Sequence, residues 1–277
     1  MDAAVPITIT RITIAMATPN KGHDARLESV YFWARAFVCL FGLGAVAWGA
    51  VVLPEFREQA PLNRITSELL MGRAYKLQTL SDAATQVAAI EQSWFCSPSD
   101  FHDEVVLRVA ILQSAIAAGD KASVDHAYTP LYDLANTALA CSPADPFVWW
   151  TLFWIDAAKN GLTPKNANYL RLSYALGPNE GWIGLWRVQL ALALFERLPK
   201  DLADDATDEF IRLVNTQVLY QEAAAIFSRA TPAVQGRLVE QLKTANPVPR
   251  QIFARVLYDK GFDVNIAGVD RPARPWQ

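Results

Sequence analysis

An uncharged apolar run near the N-terminus constrains this chain more than any other feature. From Ala36 to Leu53 the sequence reads AFVCLFGLGAVAWGAVVL, 18 residues without a charge. A helix of this length spans about 27 Å, close to the ~30 Å hydrocarbon core of a bilayer. Aromatic residues at its ends, Tyr31 to Trp33 and Trp48, suit the membrane interfaces. The run predicts a single transmembrane anchor over residues 31–54.

A signal peptide and a core helix of a soluble protein are the alternatives to an anchor. A signal peptide has a shorter apolar core of about 7 to 15 residues, and no clean A-x-A cleavage site follows the run before Pro54 and Glu55. The apolar character on all sides over this length argues against a core helix. We therefore favour an uncleaved anchor.

Charges beside the run predict its orientation. Three basic residues precede it within fifteen residues and two follow it: Lys21, Arg26 and Arg35, then Arg57 and Arg64. Basic residues favour the cytoplasmic side, and a long following segment can be translocated regardless of charge. We expect a single-pass protein of a bacterial inner membrane, with a cytoplasmic N-terminal tail over residues 1–30 and the bulk of the chain in the periplasm.

The remaining chain predicts an all-α domain. Apolar residues recur at three- and four-residue spacing, and short breaks rich in Gly, Asn and Pro separate the periodic segments. The predicted helices cover 62–77, 82–94, 103–118, 122–139, 147–159, 165–176, 180–194, 207–214, 218–229, 232–245 and 250–258. A net charge of −3 gives no basic field, so we expect no nucleic-acid partner.

Two similar pentapeptides punctuate this helical region. CSPSD at 96–100 and CSPAD at 141–145 each close one helix and open the next, with Ser97 and Ser142 expected as helix caps. In stacked helical hairpins, equivalent corners lie side by side. Cys96 and Cys141 are therefore a candidate disulfide in an oxidising compartment, and two unrelated reduced thiols are the alternative.

The spacing of these corners indicates helical repeats. Prolines recur at equivalent corners, at Pro98, Pro143 and Pro178. The second step, 178 − 143 = 35, is close to the ~34-residue tetratricopeptide period, and residues 147–178 resemble that family in Trp150, Ser173 and Pro178. Trp154 stands where the family has a glycine. The resemblance implies an irregular tetratricopeptide-like α-solenoid over residues 55–262, followed by a C-terminal tail over 263–277.

A wider resemblance concerns the whole layout. One N-terminal span followed by such helices, with SPADPFVWWTLFW and LRLSYALGPNEGWIGLWR, is similar to small membrane-anchored accessory proteins encoded with bacterial exopolysaccharide synthesis systems. The similarity covers about residues 30–245. It implies an assembly role with protein partners in or at the membrane, including polysaccharide machinery, and it implies no catalytic residue.

The sequence contains no motif that carries recognisable catalysis. It has no H-E-x-x-H and no glycine-rich phosphate loop, so we predict a non-enzymatic protein with no cofactor, no metal and no catalytic residue. His102, Asp103 and Glu104 are interpreted as a charged first helical turn. The candidate interaction surface is formed by Trp149, Trp182 and Arg187, and the candidate helix-packing face in the membrane by Gly42, Ala45 and Gly49.

Three functional hypotheses follow from these features. The first is a scaffold or accessory subunit of a bacterial envelope assembly, in exopolysaccharide synthesis or export. The second is a helical glycan-acting enzyme that uses carboxylates such as Asp145 and Glu180 as acid and base. The third is a structural subunit of a larger membrane complex, packed through small residues of the span.

Overall fold

The chain is all-α, as predicted. The structure is a computed structural model that describes the backbone of residues 21–70, 72–90 and 96–270 and the side chains of 31–51, 53, 63–70, 72–85 and 96–270. Within these residues it has eleven α-helices, two short 3-10 helices and no strand. Parts of the predicted tails, 1–20 and 271–277, and the end of the predicted helix 82–94 lie outside the described residues.

The helices follow one another with short connections. They are α1 Lys21–Leu70, α2 Leu77–Ile90, α3 Pro98–Ala118, α4 Lys121–Cys141, α5 Pro146–Asn160, α6 Pro164–Leu176, α7 Gly181–Ala193, α8 Lys200–Asn215, α9 Tyr220–Arg229, α10 Pro232–Gln241 and α11 Pro247–Asp259. The 3-10 helices are Phe195–Arg197 and Leu242–Thr244. The chain divides into two compact units, Met1–Glu58 and Gln59–Gln277. We call the second the helical unit.

Helix α1 differs from the prediction. We expected the anchor and a separate helix over 62–77, but the two form one helix of 50 residues that ends at Leu70. Pro54 and Pro61 lie inside this helix, where each lacks the amide hydrogen that a helix normally uses. The predicted break at these prolines is therefore wrong.

The segment Tyr31–Val51 of α1 is long and apolar enough, by length and composition, to cross a membrane. None of it is buried in the described part of the chain. Phe41 is 74% exposed and Trp48 is 70% exposed. A core helix would bury such side chains, and within the described residues this segment is not packed as one.

In the helical unit, most helices pack against their neighbours in sequence. The pairs α3 with α4, α5 with α6, and α7 with α8 are in close contact, and α3 with α5 and α5 with α7 also touch. Such nearest-neighbour packing is what stacked helical repeats require. The irregular tetratricopeptide-like solenoid itself stays a prediction.

The two pentapeptide corners meet in the structure. Cys96 and Cys141 form a disulfide with their Cα atoms 5.8 Å apart. Ser97 occupies the N-cap position of α3, as expected, but its hydroxyl contacts the Ser99 hydroxyl and makes no capping hydrogen bond to the helix. Ser142 is the C-cap of α4 and does not begin α5. Asp145 caps α5 instead, since its Oδ1 accepts from the amides of Phe147 and Val148 at 2.9 and 3.1 Å.

We expect the disulfide to stabilise the helical unit. Cys96 and Cys141 are 45 residues apart in sequence. Closing a loop of that length removes unfolded-state entropy worth about 4 kcal/mol in the chain-entropy treatment. Reduction of the full-length chain in mild detergent should therefore lower its melting temperature by roughly 10 °C, followed by circular dichroism.

The variants make this measurement specific. Cys96→Ser should melt at the lower temperature with or without reductant. Cys39→Ser, which changes the free cysteine of the apolar segment, should keep the sensitivity to reductant. Equal melting of oxidised and reduced wild-type protein would contradict a stabilising bond.

Candidate functional site

Helices α5 and α7 bring five aromatic rings together. Phe147, Trp150 and Trp154 recur at spacings of three and four residues on α5, and Trp182 and Trp186 at four on α7. Residues so spaced lie on one helix face. Because α5 and α7 touch, the two faces meet. We call these five residues the aromatic cluster.

The rings of the aromatic cluster are in direct contact. Phe147 lies at the centre, with ring centroids 5.3 Å from Trp150 and 5.7 Å from Trp182. Trp150 stacks on Trp154 at 5.7 Å and meets Trp186 at 5.4 Å. These separations are the favourable ones for aromatic pairs. Phe147 and Trp150 are buried, whereas the other three rings are half-buried, so the cluster has a core and an accessible edge.

A cleft opens beside the cluster. It has a volume of about 270 Å³ and Phe147 and Trp186 form part of its wall. Apolar side chains from α1, α2 and α3 line most of the remainder, among them Leu69, Leu80 and Val106. An apolar cleft with a few polar residues at its rim can accept an apolar side chain of a partner.

His102, near the start of α3, contacts the corner before α5. Its Nδ1 lies 2.7 Å from Asp145 Oδ2, and its ring contacts Trp182 edge-on at 5.9 Å. Burial lowers the pKa of His102, but the hydrogen bond with Asp145 and the nearby carboxylates outweigh burial and hold the pKa above its usual 6.5. His102 therefore contributes to the corner before α5. The sequence indicated only a charged first helical turn at this residue.

The two carboxylates named for a glycan-acting enzyme have different environments. Asp145 uses one oxygen to cap α5 and the other to bond His102. Glu180 occupies the cap position of α7, and its side chain makes no capping hydrogen bond to that helix. Asp145 thus has a structural role that occupies both of its oxygens.

Arg187 is a buried residue, so its assignment to an interaction surface is wrong. Its side chain is 0% exposed and that of Glu209 is 4% exposed. Arg187 Nε donates to both carboxylate oxygens of Glu209, at 3.1 and 3.2 Å, and Nη2 donates to the same carboxylate. Nη1 donates to the Ser173 carbonyl at 2.6 Å and Nη2 to the Gly177 carbonyl at 2.7 Å.

This arrangement joins several elements through one guanidinium. Arg187 is on α7, Glu209 on α8, and the two carbonyls belong to the end of α6. The guanidinium also lies 4.7 Å from the centre of the Tyr174 ring. The sequence held no indication of Glu209 as a partner, because the two residues are 22 apart and on different helices.

The other predicted surface residues are partly accessible. Trp149 is half-buried and its Nε1 donates to the Pro143 carbonyl at 2.8 Å. Trp182 is half-buried in the aromatic cluster. Gly42, Ala45 and Gly49 are exposed. Apart from the adjoining residues and helix backbone, a Cβ added at Gly42 or Gly49 would meet no atom of the described residues within 4 Å.

We expect a change of only one residue of the buried Arg187–Glu209 pair to destabilise the fold. Arg187→Met leaves the Glu209 carboxylate buried without its charge partner, which typically costs about 3 to 5 kcal/mol. Urea unfolding of the full-length chain in mild detergent measures this loss. The double variant Arg187→Met/Glu209→Leu should recover part of it, because no buried charge is left. A single variant within 1 kcal/mol of wild type would contradict this account.

The corner at His102 predicts a pH dependence. A histidine whose pKa is raised by folding stabilises the fold fully below its unfolded pKa, and this contribution is lost as the pH rises through the folded pKa. The free energy of unfolding should therefore fall as the pH is raised from 6 to 8, measured by urea unfolding. His102→Gln should flatten this dependence on pH. His126 is exposed on α4, and His126→Gln should leave the dependence unchanged. An unchanged slope in His102→Gln would refute the assignment.

Comparison with known proteins gives no relative for this chain: no protein-family model, no characterised protein and no solved structure matches it. The tetratricopeptide-like repeats and the similarity to exopolysaccharide accessory proteins stay predictions. Among the described residues, no group of three or more His, Cys, Asp and Glu side chains is placed to hold a metal ion.

Proposed function

We propose that this chain is a membrane-anchored, non-enzymatic scaffold or accessory subunit that holds protein partners of a bacterial envelope assembly. The observation that carries the proposal is the exposed apolar segment Tyr31–Val51 on the same chain as a helical unit closed by a disulfide. An anchor raises the effective concentration of whatever the helical unit binds near the membrane.

The disulfide supports the proposed side of the membrane. Disulfides persist in oxidising compartments such as the bacterial periplasm and are rare in the cytosol. A bond between Cys96 and Cys141 therefore agrees with the weak excess of basic residues before the span, which favours a cytoplasmic N-terminus. We infer an inner-membrane protein with its helical unit in the periplasm.

Two surfaces suit protein partners. The half-buried edge of the aromatic cluster and the adjoining cleft of about 270 Å³ offer an apolar site on the helical unit. Small residues of the span allow the close approach of a second transmembrane helix. The similarity to exopolysaccharide accessory proteins makes polysaccharide synthesis or export the assembly that we propose.

One experiment with two arms tests this function. Alkaline phosphatase fused after residue 262 should be active in a bacterial host, and the same enzyme fused after residue 25 should be inactive, because it folds only after export. An inactive fusion at residue 262 would refute the proposed side of the membrane.

For the second arm, the full-length chain is purified from membranes in mild detergent, and co-purifying partners are quantified by mass spectrometry.

The second arm uses a matched pair of glycines. Gly49→Leu adds bulk to the face formed by Gly42, Ala45 and Gly49, so partner recovery should fall severalfold. Gly44→Leu makes the same change about 140° round the helix and should leave recovery intact. Both variants must still fractionate with membranes. Absence of any stoichiometric partner from wild type would overturn the scaffold role, and equal recovery in both variants would reduce the span to a tether.

A further inference from the structure

A second group of aromatic residues lies outside the aromatic cluster, on α4, α5 and α6. Trp149, Tyr169 and Tyr132 are half-buried and pack against the apolar core, which leaves part of each ring accessible. The Trp149 and Tyr169 ring centroids are 5.7 Å apart with 33° between the planes. The bond from Trp149 Nε1 to the Pro143 carbonyl fixes the indole.

Lys165 joins this row of rings. Its Nζ donates to the Tyr132 hydroxyl at 3.2 Å and lies 5.7 Å from the ring centroids of both Tyr132 and Tyr169. The hydrogen bonds with Tyr132 and Tyr169 raise the pKa of Lys165, so it remains cationic at neutral pH. The lysine side chain is exposed, so its charge is available to a ligand.

A small cleft lined by both aromatic and polar side chains adjoins the row at Tyr132. Its volume is about 160 Å³, and its lining is Tyr128, Thr129, Tyr132, Ile155, Asp156, Lys159 and Asn160. Asp156 accepts hydrogen bonds from the side-chain amides of Asn160 and Asn166, at 2.8 and 3.0 Å. The polar side of the cleft is therefore held in place before any ligand binds.

We propose that this surface, the ring row Trp149–Tyr169–Tyr132 with Lys165 and the adjoining cleft, binds a short acidic saccharide. The accessible parts of the rings offer apolar surface to the C–H faces of sugar rings. The amide, hydroxyl and ammonium groups of the cleft offer hydrogen bonds to sugar hydroxyls. Lys165, with exposed Lys159 at the cleft, provides the charge for a sugar carboxylate.

The composition of the cleft favours a saccharide over an amphipathic helix. Recognition of an amphipathic helix uses a hydrophobic groove for its anchoring side chains, whereas a proline-rich segment docks in an aromatic-lined groove. Of the described residues that line this cleft, Ile155 is the one aliphatic side chain, and it is buried. The cleft therefore has no pocket of several aliphatic side chains, and its hydroxyl, amide and ammonium groups stand beside aromatic rings. This combination matches a ligand that has apolar faces and many hydroxyl groups.

This inference goes beyond the proposed function and uses different residues. The ring row and its cleft include none of the aromatic cluster and none of the transmembrane segment. Loss of saccharide binding would therefore leave the scaffold proposal standing, and loss of partner recovery would leave this site standing.

Binding is tested on the full-length chain in mild detergent. Fluorescently labelled tetrasaccharides of galacturonate, glucuronate and mannuronate are titrated by fluorescence anisotropy, with neutral cellotetraose as the comparison. We expect at least one acidic tetrasaccharide to bind about tenfold more tightly than cellotetraose, because a charge-assisted hydrogen bond to Lys165 is lost with the neutral sugar.

The variants assign the binding to this surface. Lys165→Gln should remove the preference for the acidic sugar, whereas Lys200→Gln, an exposed lysine on α8, should not. Tyr169→Ala should weaken binding about tenfold, and Tyr169→Phe, which keeps the ring, should retain most of it. Thermal melting identifies any variant that fails to fold.

Three results would overturn the proposal. They are the absence of binding by every acidic tetrasaccharide at millimolar concentration, equal binding of cellotetraose, and equal behaviour of Lys165→Gln and Lys200→Gln. Competition of a bound saccharide by a proline-rich decapeptide at lower concentration would instead assign the surface to peptide recognition.

Discussion

The fully buried guanidinium of Arg187 is the constraint on which the middle of the helical unit depends. It donates to the Glu209 carboxylate and to the carbonyls at the end of α6, so three consecutive helices must keep their register for its hydrogen bonds to exist. Burial raises the pKa of Glu209 more than Arg187 lowers it, so ionising the carboxylate inside the protein remains costly. A buried ion pair of this kind contributes little net stability relative to apolar packing, but removal of one partner strongly destabilises the fold. Its value here is that it specifies one arrangement of α6, α7 and α8.

The start of the helical unit is held by a different combination of contacts. The Cys96–Cys141 bond and the His102–Asp145 contact both join the beginning of α3 to the corner before α5. Asp145 also caps α5, so one carboxylate fixes the helix start and its position against α3. The covalent bond acts mainly by restricting the unfolded chain, whereas the histidine contact acts in the folded state. The two contributions respond to different conditions, redox potential and pH, at one corner of the fold.

Local patterns in the sequence predicted much of the fold, and long-range pairing accounts for what they missed. Apolar periodicity and the Gly, Asn and Pro breaks located the helices, because both act over a few residues. The repeated pentapeptides indicated Cys96 with Cys141 as neighbours. Two predictions at charged residues were wrong. The predicted helix 207–214 omitted the first turns of α8, which are rich in acidic residues, and Arg187 was predicted at the surface. A buried arginine can be recognised only when its partner is known, and Glu209 is on another helix. The continuation of α1 through Pro54 is likewise a case where helical context prevails over a local breaking residue.

The adjacent tryptophans Trp149 and Trp150 connect the core of the helical unit to its surface. Consecutive residues on a helix point about 100° apart, so one indole enters the aromatic cluster and the other joins the ring row with Tyr169. Trp150 is held by stacking on Trp154, and Trp149 by its bond to the Pro143 carbonyl at the disulfide corner. A ligand on the ring row therefore contacts a helix whose other face is closely packed and whose start is fixed by the corner. Such a surface needs little ordering when it binds, and low ordering cost is what makes a small accessible patch effective in recognition.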